Sequence, residues 1–234
     1  MSDVSGNRTN GKPKDNFTKY LVIGMVSLVI LSGAAAAFYN KSSSSVRVTP
    51  VSALKADGNG IQVNPTAKVR VDFYEDFRCP NCRNFEAINN TYITGLVDAG
   101  KINAVYHPMS FIASDSVLTA AAAACADDQG KYVKYHELLY ANQPSSDKVP
   151  ERTAYWTNDS LITLGKAAGI TSPKFASCVS SGQYLKWAAN MNTYAASKSI
   201  NATPTVLVNG KALPLATDYD AKAFTKVFTD LGIK

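Results

Sequence analysis

Two cysteines with two residues between them, Cys79-Pro80-Asn81-Cys82, are the spacing in this chain that could do chemistry. They follow a β-rich run and open a helical pattern. Pro80 suits the first helical position, because the N–H it lacks would have no intrahelical partner there. Cys79 then sits at a helix N-terminus, where unpaired N–H groups and the helix dipole favour a thiolate. Cys82, three residues on, lies on the same face within disulfide reach. The loop such a bond closes is very short, so it should be reduced more readily than a structural disulfide. A thiolate that leaves easily makes its disulfide a good oxidant, and thiol–disulfide exchange is the chemistry this predicts. Half a zinc site is the rival, but there is no second CxxC and His107 and His136 stand in no ligand-like spacing. A purely structural disulfide and a reduced core pair also compete.

More residues gather around this motif. Thr203-Pro204 precedes a short β-rich run. A cis bond there could face the CxxC loop and leave the Thr203 backbone free to pair with a substrate peptide. An ordinary trans proline at a strand start is the alternative. Cys125 and Cys178 each fall in a helical pattern without a cysteine neighbour, and read as a structural disulfide, with a second redox pair as the alternative. Glu75 and Asp76 read as a solvated strand end; otherwise one is a partly buried carboxylate that exchanges a proton with Cys82. His107 and His136 read as surface or hydrogen-bonded histidines, and Tyr132, Tyr135 and Tyr140 as packing.

The elements that must position these residues follow from periodicity. Alternating Val69, Val71 and Phe73 predict a strand over about 68–74. Phe85, Ile88, Tyr92, Ile93 and Leu96 mark one face of a helix that Gly100 ends. INAVYHPM is a second strand, which makes a βαβ unit and a parallel sheet. Five helical patterns follow, beginning with Asp115 as a candidate N-cap. PTVLVNG and KALPL then form a hairpin around Asn-Gly, and DYDAKAFTKVFTDLG closes as an amphipathic helix.

Tyr20 to Phe38 carries no charge over nineteen residues, enough to cross the roughly 30 Å hydrocarbon core as a helix. A cleaved signal peptide is the alternative. Arg8, Lys12, Lys14 and Lys19 before the run place the N-terminus in the cytoplasm and the rest outside. The expected organisation is a cytoplasmic tail at 1–19, an anchor at 20–38, a flexible linker at 39–65 and one domain at 66–234. The net charge of +6 is uneven: seven basic and three acidic residues precede Pro65, seventeen and fifteen follow. The domain is near neutral, which excludes a nucleic-acid surface. With 46% hydrophobic and 18% charged residues, the chain is not a disordered tail.

VDFYEDFRCPNC, ATPTVLVNG and the helical block between them resemble the thioredoxin superfamily, and within it the DsbA-like disulfide oxidoreductases, over about Ala67 to Lys234. With its anchor, the chain is similar to membrane-tethered members from actinobacteria. The resemblance implies an α/β thioredoxin fold with an inserted helical domain at about 110–199. It implies an exposed nucleophile at Cys79, a buried resolving thiol at Cys82, a cis-proline pair at Thr203-Pro204 and a disulfide between Cys125 and Cys178. It further implies a redox-active disulfide in place of a cofactor, no metal, and a monomer. The expected substrates are unfolded exported proteins with reduced cysteines, and the expected partner is a membrane quinone-linked re-oxidase. Asn81 departs from the family, whose oxidases often carry His there; a neutral side chain stabilises the thiolate less. Arg78 replaces the Trp common in thioredoxins and cytochrome-maturation reductases. That favours an oxidase over a reductase, with Arg78 itself expected to support the thiolate. A reductase or isomerase, a chaperone-like binding domain and a metal chaperone are the competing functions.

Overall fold

The computed structural model describes residues 48–150, 152–214 and 220–233. The expected tail and anchor lie outside them. Among the described residues no helix is long and apolar enough to cross a membrane.

Five strands form one sheet in the order β1-β3-β2-β4-β5. β2 (Val69–Glu75) and β3 (Ile102–Pro108) are its centre, parallel and joined by α1 (Pro80–Asp98). β4 (Thr205–Val208) runs antiparallel to β2, with Thr205 opposite Tyr74. β5 (Lys211–Ala212) returns beside β4 through Asn209-Gly210. Both turn residues have positive φ, 49° and 80°, the requirement of a two-residue hairpin that an Asn-Gly pair meets without strain.

Alternation along the central strands sorts side chains between two layers. Phe73 and Tyr106 stack on one face, where α1 packs against β3 and the last helix, α7 (Ala221–Asp230), packs on α1. Phe85 of α1 meets Phe224 of α7 edge-on at 5.4 Å. Asp72, Tyr74 and His107 point the other way, and His107 stacks on Tyr194 of α6 (Leu185–Ser197).

Among the described residues, five helices stand between β3 and β4: α2 (Ser116–Asp127), α3 (Tyr132–Ala141), α4 (Asn158–Ala167), α5 (Pro173–Ser181) and α6. Thr157 and Ser172 cap α4 and α5 with their side chains. The alanines of α2 are buried, so that helix is the small-residue centre against which α3, α5 and α6 pack closely. Tyr132, Tyr135 and Tyr140 are all buried packing residues of α3.

One expectation is corrected. The flexible linker predicted to run to residue 65 gives way, from residue 48, to structured chain. β1 (Ile61–Val63) lies inside that stretch and pairs antiparallel with β3. Ile61 is fully buried, Trp187 donates to the Gly58 carbonyl at 2.8 Å, and Ser52 N–H donates to Asp127. Ser and Gly richness suggests a tether, but a three-residue strand is too short for periodicity to reveal.

Candidate active site

The site is built where β2 ends and α1 begins. Asp76 turns the chain between them: its carboxylate accepts from the N–H groups of Arg78, Phe111 and Ile112 and from the Ser116 hydroxyl, all at 2.8–3.0 Å. Asp76 is fully buried and Glu75 is 4% exposed. The solvated strand end expected for this pair is therefore wrong. Periodicity marks where a strand stops, not what the helical insertion later lays over it.

Cys79 is the N-cap residue of α1, with φ −77° and ψ 118°, and Pro80 takes the first helical position. Both Cys79 and Cys82 are free thiols. A hydrogen bond from the Cys82 thiol, with others from the Cys82 and Asn81 backbone N–H groups, outweighs the cost of burial and lowers Cys79 to about 6. Asn81 thus acts through its backbone. Cys82 is fully buried, and desolvation pushes it well above its ordinary value. The two thiols are pulled apart by environment, one toward thiolate and one toward thiol. The expectation of an exposed Cys79 needs correction: the residue is only 4% exposed.

The pairing of β4 with β2 brings the loop before Thr205 to the end of β2. The Thr203-Pro204 bond is cis, and the Thr203 carbonyl lies 3.5 Å from Cys79 Sγ as the acceptor of its thiol. Cys125 and Cys178 are bonded to each other and tie α2 to α5, with their Cα atoms 5.9 Å apart.

Arg78 does not serve the thiolate. Its guanidinium is buried, donates to Asp115 at 2.9 Å and to the Thr153 carbonyl at 2.9 Å, and packs on the Tyr155 ring. Asp115 also accepts from the Tyr155 and Trp156 N–H groups at 2.7 and 2.8 Å. Asp115 does stand at the N-cap position of α2, but its side chain makes no cap bond. Both roles read from the sequence for Arg78 and Asp115 fall to one long-range pair that local pattern cannot show. Gln143, just after α3, carries no local sequence signal; its side chain donates to the Phe77 and Cys79 carbonyls at 2.8 and 3.1 Å.

Both histidines are buried and hydrogen-bonded. His107 meets Asp72 at 2.8 Å on the far face of the sheet. His136, on α3, meets Glu75 at 3.1 Å and approaches Glu86 of α1 at 4.0 Å. Burial raises Glu75 to about 8, partly offset by a hydrogen bond from Glu86; it also raises Glu86 well above its ordinary value and lowers His136. Glu75, Glu86 and His136 could also hold a metal ion by donor type. His136 hydrogen-bonds Glu75, while its Nδ1 stands at 4.0 Å from Glu86, an ion-pair distance rather than a hydrogen bond. Sequence reasoning missed Glu86 as well, although its spacing is a signal: it stands four residues after Cys82, on the same helix face.

A reactive thiol pair at the start of the helix after a central strand, opposite a cis-proline loop, is the arrangement of a thiol–disulfide oxidoreductase. The family model described as Thioredoxin matches residues 58–226, and the chain belongs to that family, as a DsbA-like member. Disulfide bond formation protein D of Bacillus subtilis is 26% identical over 168 residues, 66% of this chain and 69% of the relative. The reduced form of the disulfide bond oxidoreductase DsbG of Mycobacterium tuberculosis is 29% identical with a TM-score of 0.60, covering 79% of this chain and 86% of that one. Reduced DsbA of the same organism is 29% identical with a TM-score of 0.59, covering 80% and 92%.

Proposed function

We propose that this oxidoreductase is an oxidase, tethered to the cell membrane by residues 20–38, that introduces disulfides into exported proteins. The observation that carries the reading is the split between the thiols: Cys79 is lowered to about 6 and Cys82 is raised. A stabilised Cys79 thiolate is a good leaving group, and it favours the reduced enzyme, which makes the oxidised enzyme a disulfide donor.

The steps follow from that split. A substrate thiolate attacks Sγ of Cys79 in the Cys79–Cys82 disulfide. The new S–S bond forms, the old one breaks, and its electron pair leaves on Cys82, which takes up a proton. The substrate's second thiolate then attacks its own sulfur in the mixed disulfide, and Cys79 leaves as a thiolate. The substrate departs oxidised and the enzyme reduced by two electrons. The Thr203 backbone at the cis-proline loop, within 3.5 Å of Cys79 Sγ, would pair with the substrate chain. A membrane quinone-linked oxidase would accept the two electrons and restore the disulfide. The chain works as a monomer with its domain outside the cell.

Reduction of the full chain against glutathione, with Cys125–Cys178 followed separately by mass spectrometry, tests the direction. A potential near about −120 mV supports disulfide donation. A value near about −270 mV makes the protein a reductase instead. Cys79→Ala should abolish oxidation of a reduced protein substrate, and full activity in that variant would sink the proposal.

A further inference from the structure

Asp76 to Cys79 lie between β2 and α1 and belong to neither. Pro80 follows, and its missing N–H leaves the Cys79–Pro80 peptide only a carbonyl to bond with. The donors and acceptors of this turn go to two different residues. Two of its N–H groups go to Asp76: Arg78 N–H donates to the carboxylate and Cys79 N–H to the backbone carbonyl, both at 2.9 Å. Two of its carbonyls go to Gln143. The side-chain amide donates to Phe77 O at 2.8 Å and to Cys79 O at 3.1 Å, so one nitrogen spans both sides of Arg78. Arg83 N–H, which closes the first turn of α1, shares the Cys79 carbonyl at 3.1 Å.

Gln143 is itself held firmly. Its N–H donates to the Tyr140 carbonyl at 3.2 Å, which ties it to the last turn of α3. Pro144 comes next and disfavours a helical conformation at Gln143, so α3 stops short of it. The residue is only 6% exposed, which limits competition from water for the amide. The same end of α3 seats the Phe77 ring against Tyr140, with centroids 5.1 Å apart. Phe77 is thus gripped by its ring and by its carbonyl from one helix of the insertion.

We propose that Gln143 is a positioning residue for disulfide exchange, whose amide fixes the two carbonyls that set where Cys79 Sγ stands relative to its partners. This rests on exchange at Cys79–Cys82 and names a group outside the CxxC and cis-proline segments that the reaction needs. As a thiolate, Cys79 Sγ takes the Asn81 and Cys82 N–H groups; as a disulfide it meets Cys82 Sγ; in exchange it meets a substrate sulfur. Those partners lie in different directions. The sulfur must turn about the Cα–Cβ bond while the backbone beneath it stays still. An amide bonded to the carbonyls on both sides of Arg78 holds that backbone in one conformation through the cycle. It also turns its positive end toward the turn, the orientation that favours a negative charge there. The helical insertion, by supplying Gln143, becomes part of the reaction rather than a cover for it.

The test uses the full chain and two variants. Gln143→Met keeps the length and removes the donor. Gln143→Asn keeps the amide but is one methylene shorter, so it bonds one carbonyl at most. Reduced Cys79 is alkylated across a range of pH, and the oxidised chain is mixed with a reduced dithiol peptide in a single turnover. Gln143→Met should raise the alkylation midpoint by about 0.5–1 pH unit, the equivalent of one net hydrogen bond. It should slow peptide oxidation, expressed per peptide thiolate, by about tenfold, well inside what a misplaced reacting group costs. Gln143→Asn should move both readouts the same way. Gly165→Ala, which crowds Phe175 within the insertion, is the control and should keep the parent's midpoint and rate. Near-ultraviolet circular dichroism reports on folding. Gln143 variants with the parent's midpoint and rate would overturn the proposal while leaving the exchange reading intact. So would a control that shifts as far as they do, because Gln143 would then act only by holding the insertion together. If the parent chain itself forms no mixed disulfide with the peptide, the exchange reading fails, and the positioning role with it.

Discussion

At the residue scale, the working unit is a pair of thiols whose proton affinities are driven apart. Alkylation of reduced Cys79 should titrate near pH 6, against about 8.5 for a free cysteine. Because the Cys82 thiol is the main donor to Cys79, Cys82→Ala should move that midpoint upward. Arg78→Gln should leave it in place, since the guanidinium is engaged with Asp115; a large shift would show that its charge reaches the sulfur after all. Glu75 carries a separate prediction for stability. Its folded value of about 8 lies above the unfolded carboxyl value of about 4.3, so the native state binds the extra proton. That contribution is complete below the unfolded value and is lost as pH rises through the folded one. Reduced protein should lose stability at up to about 1.4 kcal/mol per pH unit in that window. Glu75→Gln should flatten the decline, as chemical denaturation at several pH values would show.

At the element scale, the active-site turn is held by the insertion as much as by the sheet. Asp76 reaches the loop before α2, Arg78 reaches Asp115 and Thr153, and Gln143 reaches back from α3. Removing Arg78 would leave Asp115 buried with its charge uncompensated. Arg78→Gln should therefore cost about 3–5 kcal/mol, the usual range for breaking a buried pair. Within the insertion, α4 and α5 touch at Gly165, where an added Cβ would collide with the Phe175 ring. Gly165→Ala should destabilise the protein by about 1–3 kcal/mol through overpacking, read from the denaturation midpoint. If it does not, the two helices can separate without cost, and the insertion is looser than its packing implies.

At the scale of the whole molecule, one cross-link and one strap join distant parts of the chain. The Cys125–Cys178 bond spans 53 residues. Replacing both cysteines by Ala should cost up to about 4 kcal/mol, the chain-entropy value for such a loop. Cys79 alkylation should be unchanged, because the bond joins α2 to α5 away from the CxxC turn. Altered Cys79 reactivity would instead revive the electron-relay reading of that pair. The segment from residue 48 to β1 straps the outer side of β3 through Ile61 and the Gly58–Trp187 bond.

The CxxC spacing, Pro80, the β-rich run before it and the helical period after it are all local, and local sequence determined them: a strand, a turn, a helix and a thiol at its N-terminus. The hairpin at Asn209-Gly210 and the order of elements were legible for the same reason. What only the tertiary structure decided is the electrostatic setting. Glu75 and Asp76 look like solvent-facing residues until the insertion buries them. His136 and Glu75, 61 positions apart, meet only when α3 packs on α1, and Arg78 finds Asp115 across 37. Burial and long-range pairing set which groups hold their protons, and neither can be read from the neighbours of a residue along the chain.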